Sequence, residues 1–250
     1  MIDKKIISLE QVTKQFGDLF ALREISFEAR EGERIALLGP SGSGKSTLMN
    51  LLTRTLQADQ GKIELASQNI DKYVNQKEYA KLVGILRQQF DLVNNLSVIN
   101  NVLVGRFNEW GTFKSLLSLF KTQDLKIAQL ALKKVGMSDK INEMTANLSG
   151  GEQQRVAIAR LLVQDPKIIL ADEPVSSLDP NNARIVLNLL NQLVREDQRT
   201  LIASMHSVDL SLEFFSRIIG IRGGRILFDK KTDEIEENIL KELYEVKKDE

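Results

Sequence analysis

Residues 6–12 (IISLEQV) and 22–29 (LREISFEA) alternate apolar and polar side chains, the period of a strand with one buried face. Five shorter stretches are apolar almost throughout: residues 34–38, 82–86, 168–171, 200–204 and 217–221. Such runs fit strands covered on both faces in a mostly parallel sheet. Arg222, Gly223, Gly224 and Arg225 supply a tight turn into 226–229, which predicts a closing hairpin. Between 88 and 162 the strand signals stop, and helical periodicity predicts helices over 97–104, 124–135 and 151–163. Residues 46–55 read as another helix, and 232–245 as an amphipathic one with Ile235, Ile239, Leu240 and Leu243 on one side. The pattern predicts a single α/β domain over 1–250. Its core, 1–89 and 160–231, includes an antiparallel β subdomain; a helical subdomain is inserted at 90–159, and a C-terminal helix occupies 232–250.

The chemistry sits at the ends of these elements. GPSGSGKST, which is Gly39, Pro40, Ser41, Gly42, Ser43, Gly44, Lys45, Ser46 and Thr47, matches G-x-x-x-x-G-K-[ST]. It follows an apolar strand and opens a helix, the context a phosphate-binding loop requires. Backbone N–H groups of 43–46 are expected to wrap a β-phosphate, Lys45 to neutralise β/γ oxygens, and the Ser46 hydroxyl to ligate Mg²⁺. Thr47 adds a hydroxyl for the α-phosphate. IILADEP at 168–174 places Asp172 and Glu173 at the C-terminal edge of a buried strand, where ligands collect in parallel sheets. Asp172 fits the magnesium-side carboxylate and Glu173 the base for an attacking water. LSGGEQQR at 148–155 sets Ser149, Gly150 and Gly151 at the start of an amphipathic helix, a second place where backbone can approach phosphate. It has no lysine, so it makes sense as a cap on a nucleotide gripped by another copy.

With these motifs in order from about residue 6 to the C-terminus, the chain resembles the ATPase subunit of ATP-binding-cassette (ABC) transporters. The resemblance implies a P-loop NTPase (ABC ATPase) core with an antiparallel β subdomain and an inserted helical one. It also implies ATP and Mg²⁺ as cofactors and a head-to-tail ATP-sandwich dimer. Gln88, in RQQFD, matches the Q-loop glutamine that touches Mg²⁺ and the lytic water. Asp179, in SSLD, matches the D-loop aspartate at the dimer seam. His206, the chain's single histidine, matches the switch histidine at the γ-phosphate. Phe16, in KQFGD, matches the aromatic that stacks on adenine, although an aromatic there also suits a core. Within the superfamily the chain looks most like the ATP-binding subunit of bacterial phosphonate importers, on RQQFDLVNNLSVINNVLVGRF (87–107), SLLSLF (115–120), 208–229 and 232–245. That implies membrane permease subunits and, indirectly, a solute-binding protein as partners. Phe90, Leu92, Val93 and Leu96 either line a docking groove for a permease helix or belong to the lobe's core. Trp110 and Phe113 either touch the permease or pack within the lobe. Arg87 and Glu152 depart from the family's usual apolar residue and glutamine, and IASMHSVD from the usual style around the histidine.

Composition then narrows the setting. Lys and Arg total 34, as do Asp and Glu, which gives no field for binding nucleic acid. The chain has no cysteine, hence no disulfide and no cysteine-based metal site. No apolar run reaches the roughly 18–20 residues that span a bilayer, and the charged start MIDKKIISLEQ does not read as a signal peptide. The expected location is peripheral, on the cytoplasmic face of the inner membrane. An importer for another solute, such as polar amino acids, would carry the same motifs. A non-transport ABC ATPase that signals across the membrane in cell division also stays open.

Overall fold

The computed structural model describes residues 4–107 and 124–245. Strands β1 (Lys5–Phe16) and β2 (Leu19–Arg30) form an antiparallel hairpin. The alternation sorts them: Ile7, Leu9, Val12, Leu22, Ile25 and Phe27 are buried, while Glu10, Glu24 and Glu28 are exposed. Two further strands join this sheet, β4 (Gln60–Leu65) and the short β5 (Gln68–Asn69), giving the order β2-β1-β4-β5. Neither was expected, because Gln60, Gly61 and Lys62 are exposed and carry no apolar signal.

The second sheet holds β3 (Arg34–Leu38), β6 (Val83–Leu86), β7 (Ile168–Asp172), β8 (Thr200–Ser204), β9 (Arg217–Arg222) and β10 (Arg225–Lys231), in the order β10-β9-β3-β8-β7-β6. Five of these strands are parallel and β10 is antiparallel to β9 across the Gly223–Gly224 turn, as the sequence pattern predicts. The continuous apolar runs serve two cores at once. Ile35, Leu37, Leu170 and Ile202 face α1 (Lys45–Leu52) and the antiparallel sheet. Ala36, Leu38, Ile169 and Ala203 face a larger cluster built from helices. Replacing Leu170, which is fully buried mid-sheet, with alanine is expected to cost about 2–5 kcal/mol of stability. A lowered urea midpoint at unchanged slope would check it.

The remaining helices are α2 (Gln76–Leu82), α3 (Val98–Leu103), α4 (Leu125–Lys134), α5 (Gly150–Gln164), α6 (Pro180–Asp197), α7 (Val208–Phe214) and α8 (Glu237–Tyr244). Helices α3, α4 and α5 pack on one another, and their apolar residues are continuous with those beneath the sheet. Helix α1 stops at Leu52, short of the expected 55. The tail begins as a 3-10 turn (Thr232–Glu234), so its α-helix is shorter than the pattern suggested. Its Leu243 is fully buried, and Ile235, Ile239 and Leu240 pack against the same core. Among the described residues no helix is long and apolar enough to cross a membrane.

Candidate functional site

The loop between β3 and α1 is shaped by close backbone contacts. A Cβ on Gly39 would lie 2.1 Å from the Ile221 carbonyl oxygen, and one on Gly44 would lie 2.5 Å from that of Ala21. Gly44 also holds a φ of 109°, which favours glycine. The loop is thereby pinned between β2 and the β9–β10 turn, where Ser43 accepts from the Gly224 N–H at 3.2 Å. Lys45 is buried, and its Nζ donates to the carbonyls of Gly39 at 2.7 Å and Pro40 at 3.1 Å. Burial pulls the Lys45 ammonium below the usual lysine value, against the raising influence of Glu173 and Asp172. No acidic residue occupies the first turn of α1, so the helix N-terminus keeps its positive end for an anion.

The acidic edge stands beside this loop. Asp172 closes β7, and its Oδ1 accepts from the Ser204 hydroxyl at 2.7 Å and the Ser46 hydroxyl at 3.4 Å. The backbone N–H of Glu173 donates to the same Ser204 oxygen at 2.8 Å. Glu173 itself turns out of the strand with φ at 49°, a costly conformation for a residue with a side chain. That turn brings its Oε1 to 2.7 Å from His206 Nε2. The structure thus brings Lys45, Ser46, Asp172, Glu173 and His206 to one place. Ser204 was missed by sequence reasoning; its signal was a hydroxyl ending an otherwise apolar strand next to β7 in register.

The other expected residues are distributed around this centre. Gln88 Nε2 donates to Ser176 Oγ at 3.4 Å, and Ser176 Oγ in turn donates to the Glu173 carbonyl at 3.2 Å. Asp179 caps α6, accepting from the N–H groups of Asn181 and Asn182 at 3.1 Å each. The Asn182 side chain and these backbone bonds hold its carboxyl below the usual range. Phe16 ends β1 with about half its surface exposed (48%), and Lys14 Nζ lies 5.4 Å from its ring centroid. An exposed aromatic at that place is not a core residue.

Ser149 and Gly150 are exposed at the start of α5 and Gly151 is half-buried; the N–H and hydroxyl of Ser149 donate to Glu152, not to the Lys45 loop. A Cβ on Gly150 or Gly151 would meet nothing within 4 Å. The same helix grips the segment after Gln88. Arg160 donates from Nη2 to the Phe90 carbonyl at 2.5 Å and from Nη1 to the Asp91 carbonyl at 2.6 Å. Phe90 and Asp91 both sit at positive φ, 57° and 48°, so the clamp holds a strained turn. Phe90 and Leu92 pack partly into the core, whereas Val93 is exposed. Trp110, Phe113 and 115–120 lie outside the described residues.

The arrangement offers a polyanion cradle, a pair of oxygen donors at Ser46 and Asp172, and a carboxylate–imidazole pair. Those parts suit phosphoryl transfer to water. The sequence profile described as "ABC transporter" matches residues 22–176. The "Phosphonates import ATP-binding protein PhnC 3" of Halalkalibacterium halodurans is 39% identical over 247 residues, 98% of this chain and 94% of that one. The "Phosphonates import ATP-binding protein PhnC" of Thiobacillus denitrificans is 41% identical over 240 residues, 96% and 92% of the two chains. Among solved structures, the dimeric MJ0796, described as a bacterial ABC transporter cassette, superimposes with a TM-score of 0.79 at 30% identity, covering 91% of this chain and 99% of that one.

Proposed function

The chain belongs to the ABC transporter family, and on that premise we propose that it is the ATP-hydrolysing subunit of an importer, working as a head-to-tail pair that closes over two nucleotides. One observation carries the shared site: Gly150 and Gly151 open α5 with nothing near the place of a side chain and with no φ that requires glycine. Glycine within a helix costs about 0.5–1 kcal/mol relative to alanine. Among the described residues nothing comes near enough to offset that cost. A triphosphate that must come within backbone distance, held by a second copy, does.

ATP lies with its base against Phe16 and its phosphates along Gly39–Thr47. Lys45 leaves the Gly39 and Pro40 carbonyls for the β/γ oxygens. Ser46 and Asp172 are hard oxygen donors 3.4 Å apart, a pairing that fits Mg²⁺. With Gln88 they would hold that ion, which would there neutralise the triphosphate. Glu173 accepts a proton from the water that attacks the γ-phosphorus as the bond to the ADP oxygen breaks. His206 steadies Glu173 and reaches the γ-phosphate. Ser149, Gly150, Gly151 and Asp179 complete the pocket from the partner. Replacing Phe16 with alanine is expected to weaken ATP affinity by about 5- to 150-fold, the range for losing one base stack of roughly 1–3 kcal/mol. Calorimetric titration checks it; unchanged affinity would remove Phe16 from the site.

Closure moves the 90–159 lobe through the Gln88 turn that Arg160 grips, and so pushes on a permease docked from the membrane. The protein works peripherally on the cytoplasmic face. The ATPase does not touch the cargo, so the solute comes from the relatives: their names support phosphonates or a related phosphorus oxyanion, delivered by a solute-binding protein. Titrating a solute-binding protein found encoded beside this chain with 2-aminoethylphosphonate tests this. Tight binding of a polar amino acid, and none of any phosphonate, would replace the cargo and leave the hydrolysis intact.

A further inference from the structure

We propose that Lys140 is a positioning residue for the signature cap: it neutralises the Glu152 carboxylate so that Ser149 can meet an incoming triphosphate. The inference rests on the shared-site reading above. Both the N–H and the hydroxyl of Ser149 donate to Glu152 Oε2, each at 2.8 Å. Lys140, at the end of the 3-10 turn Ser138–Lys140, pairs with the other oxygen, Oε1. The hydrogen bond from Lys140, followed by those from Ser149, holds the Glu152 carboxyl down to about 2, so it is charged at neutral pH. The bond to Glu152 is the main influence raising Lys140, with smaller ones from Asp139 and Glu143.

An anion in the first turn stabilises its own helix by facing the positive dipole end. Here that end has a second task. The same N-terminus must receive a triphosphate, and the one hydroxyl proton of Ser149 is directed at Glu152. A carboxylate left alone there would repel the γ-phosphate and compete for Ser149. Lys140 makes the pair neutral and draws charge toward the oxygen that Ser149 does not use. A glutamine at 152 would need no such partner, since its amide oxygen accepts from Ser149 without carrying charge.

The test uses the full chain carrying Glu173→Gln, so that ATP holds the dimer, with dimer dissociation constants read by sedimentation at two salt concentrations. Lys140→Met is expected to weaken the dimer by about fivefold at each of two equivalent sites, about 25-fold in all, and less at high salt, where exposed charges are screened. Lys140→Arg should stay within about twofold of the parent. In a Glu152→Gln background Lys140→Met should also change the constant by less than about twofold. Monomer affinity for ATP, read at low protein concentration, reports folding; if the methionine variant fails it, Lys140→Gln takes its place. An undiminished loss in the Glu152→Gln background, a loss indifferent to salt, or no loss at all overturns the proposal. A parent that binds ATP yet never dimerises would instead overturn the shared site itself, which separates the two failures.

Discussion

Glu173→Gln is expected to slow turnover by about 10²–10⁴-fold while leaving ATP binding in place, the usual contribution of a positioned proton acceptor. That range corresponds to about 2.7–5.4 kcal/mol on the barrier. The geometry separates the two acids. Asp172 receives the hydroxyls of Ser204 and Ser46 on one oxygen and belongs with Ser46 to the cation-binding side of the site. Glu173 is turned away from the strand at positive φ, and its side-chain contact is His206 at 2.7 Å. Glutamine has the same shape and keeps an oxygen for the histidine, so backbone and cradle are unaltered; only the basic oxygen is lost. With hydrolysis blocked and the nucleotide still bridging two copies, the variant should elute as a dimer in ATP and as a monomer without it. Phosphate release and size-exclusion chromatography read the two halves. Near-normal turnover would assign the base to another group.

How much of this was legible beforehand depends on the distance over which each signal acts. The loop Gly39–Thr47, the strand ending in Asp172 and the turn before Arg225 are local patterns, and the structure has strand, loop and helix where those patterns put them. The strand Gln60–Leu65 was invisible because half of it is exposed and polar; it exists through pairing with β1. Ser204 and Arg160 were missed for a related reason. Each gains meaning from a partner far along the chain, Asp172 for one and the Phe90–Asp91 turn for the other. A serine that ends an apolar strand, or an arginine inside an amphipathic helix, looks ordinary until the sheet order and helix packing are known. Lys140 and Glu152 lie only twelve residues apart, yet the intervening turns, not a helical period, bring them together. Glu152 had been visible as a departure from glutamine; what compensates it had not.

The largest qualitative effect is expected from placing two damaging changes in cis or in trans. Lys45→Ala disables the cradle and Ser149→Arg obstructs the cap, so either homodimer has both pockets spoiled. When one copy carries Lys45→Ala and the other Ser149→Arg, a two-fold head-to-tail dimer has one pocket with both faults and one with neither. An equal mixture should therefore recover about a quarter of parental turnover, since about half the dimers are mixed and each has one sound pocket of two. When one copy carries both changes and its partner none, every pocket in the mixed dimer is spoiled once. An equal mixture of that double variant with the parent should also give about a quarter, all of it from parental homodimers. A cap acting within its own chain instead predicts about half there and nothing from the mixture of single variants. The two mixtures contain the same residues in the same amounts, so folding and expression cancel. Counting nucleotides trapped per dimer in the Glu173→Gln background covers the case in which one pocket alone turns over slowly. Recovery in cis with none in trans would show that Ser149 serves the Lys45 of its own chain, and the paired site would have to be abandoned.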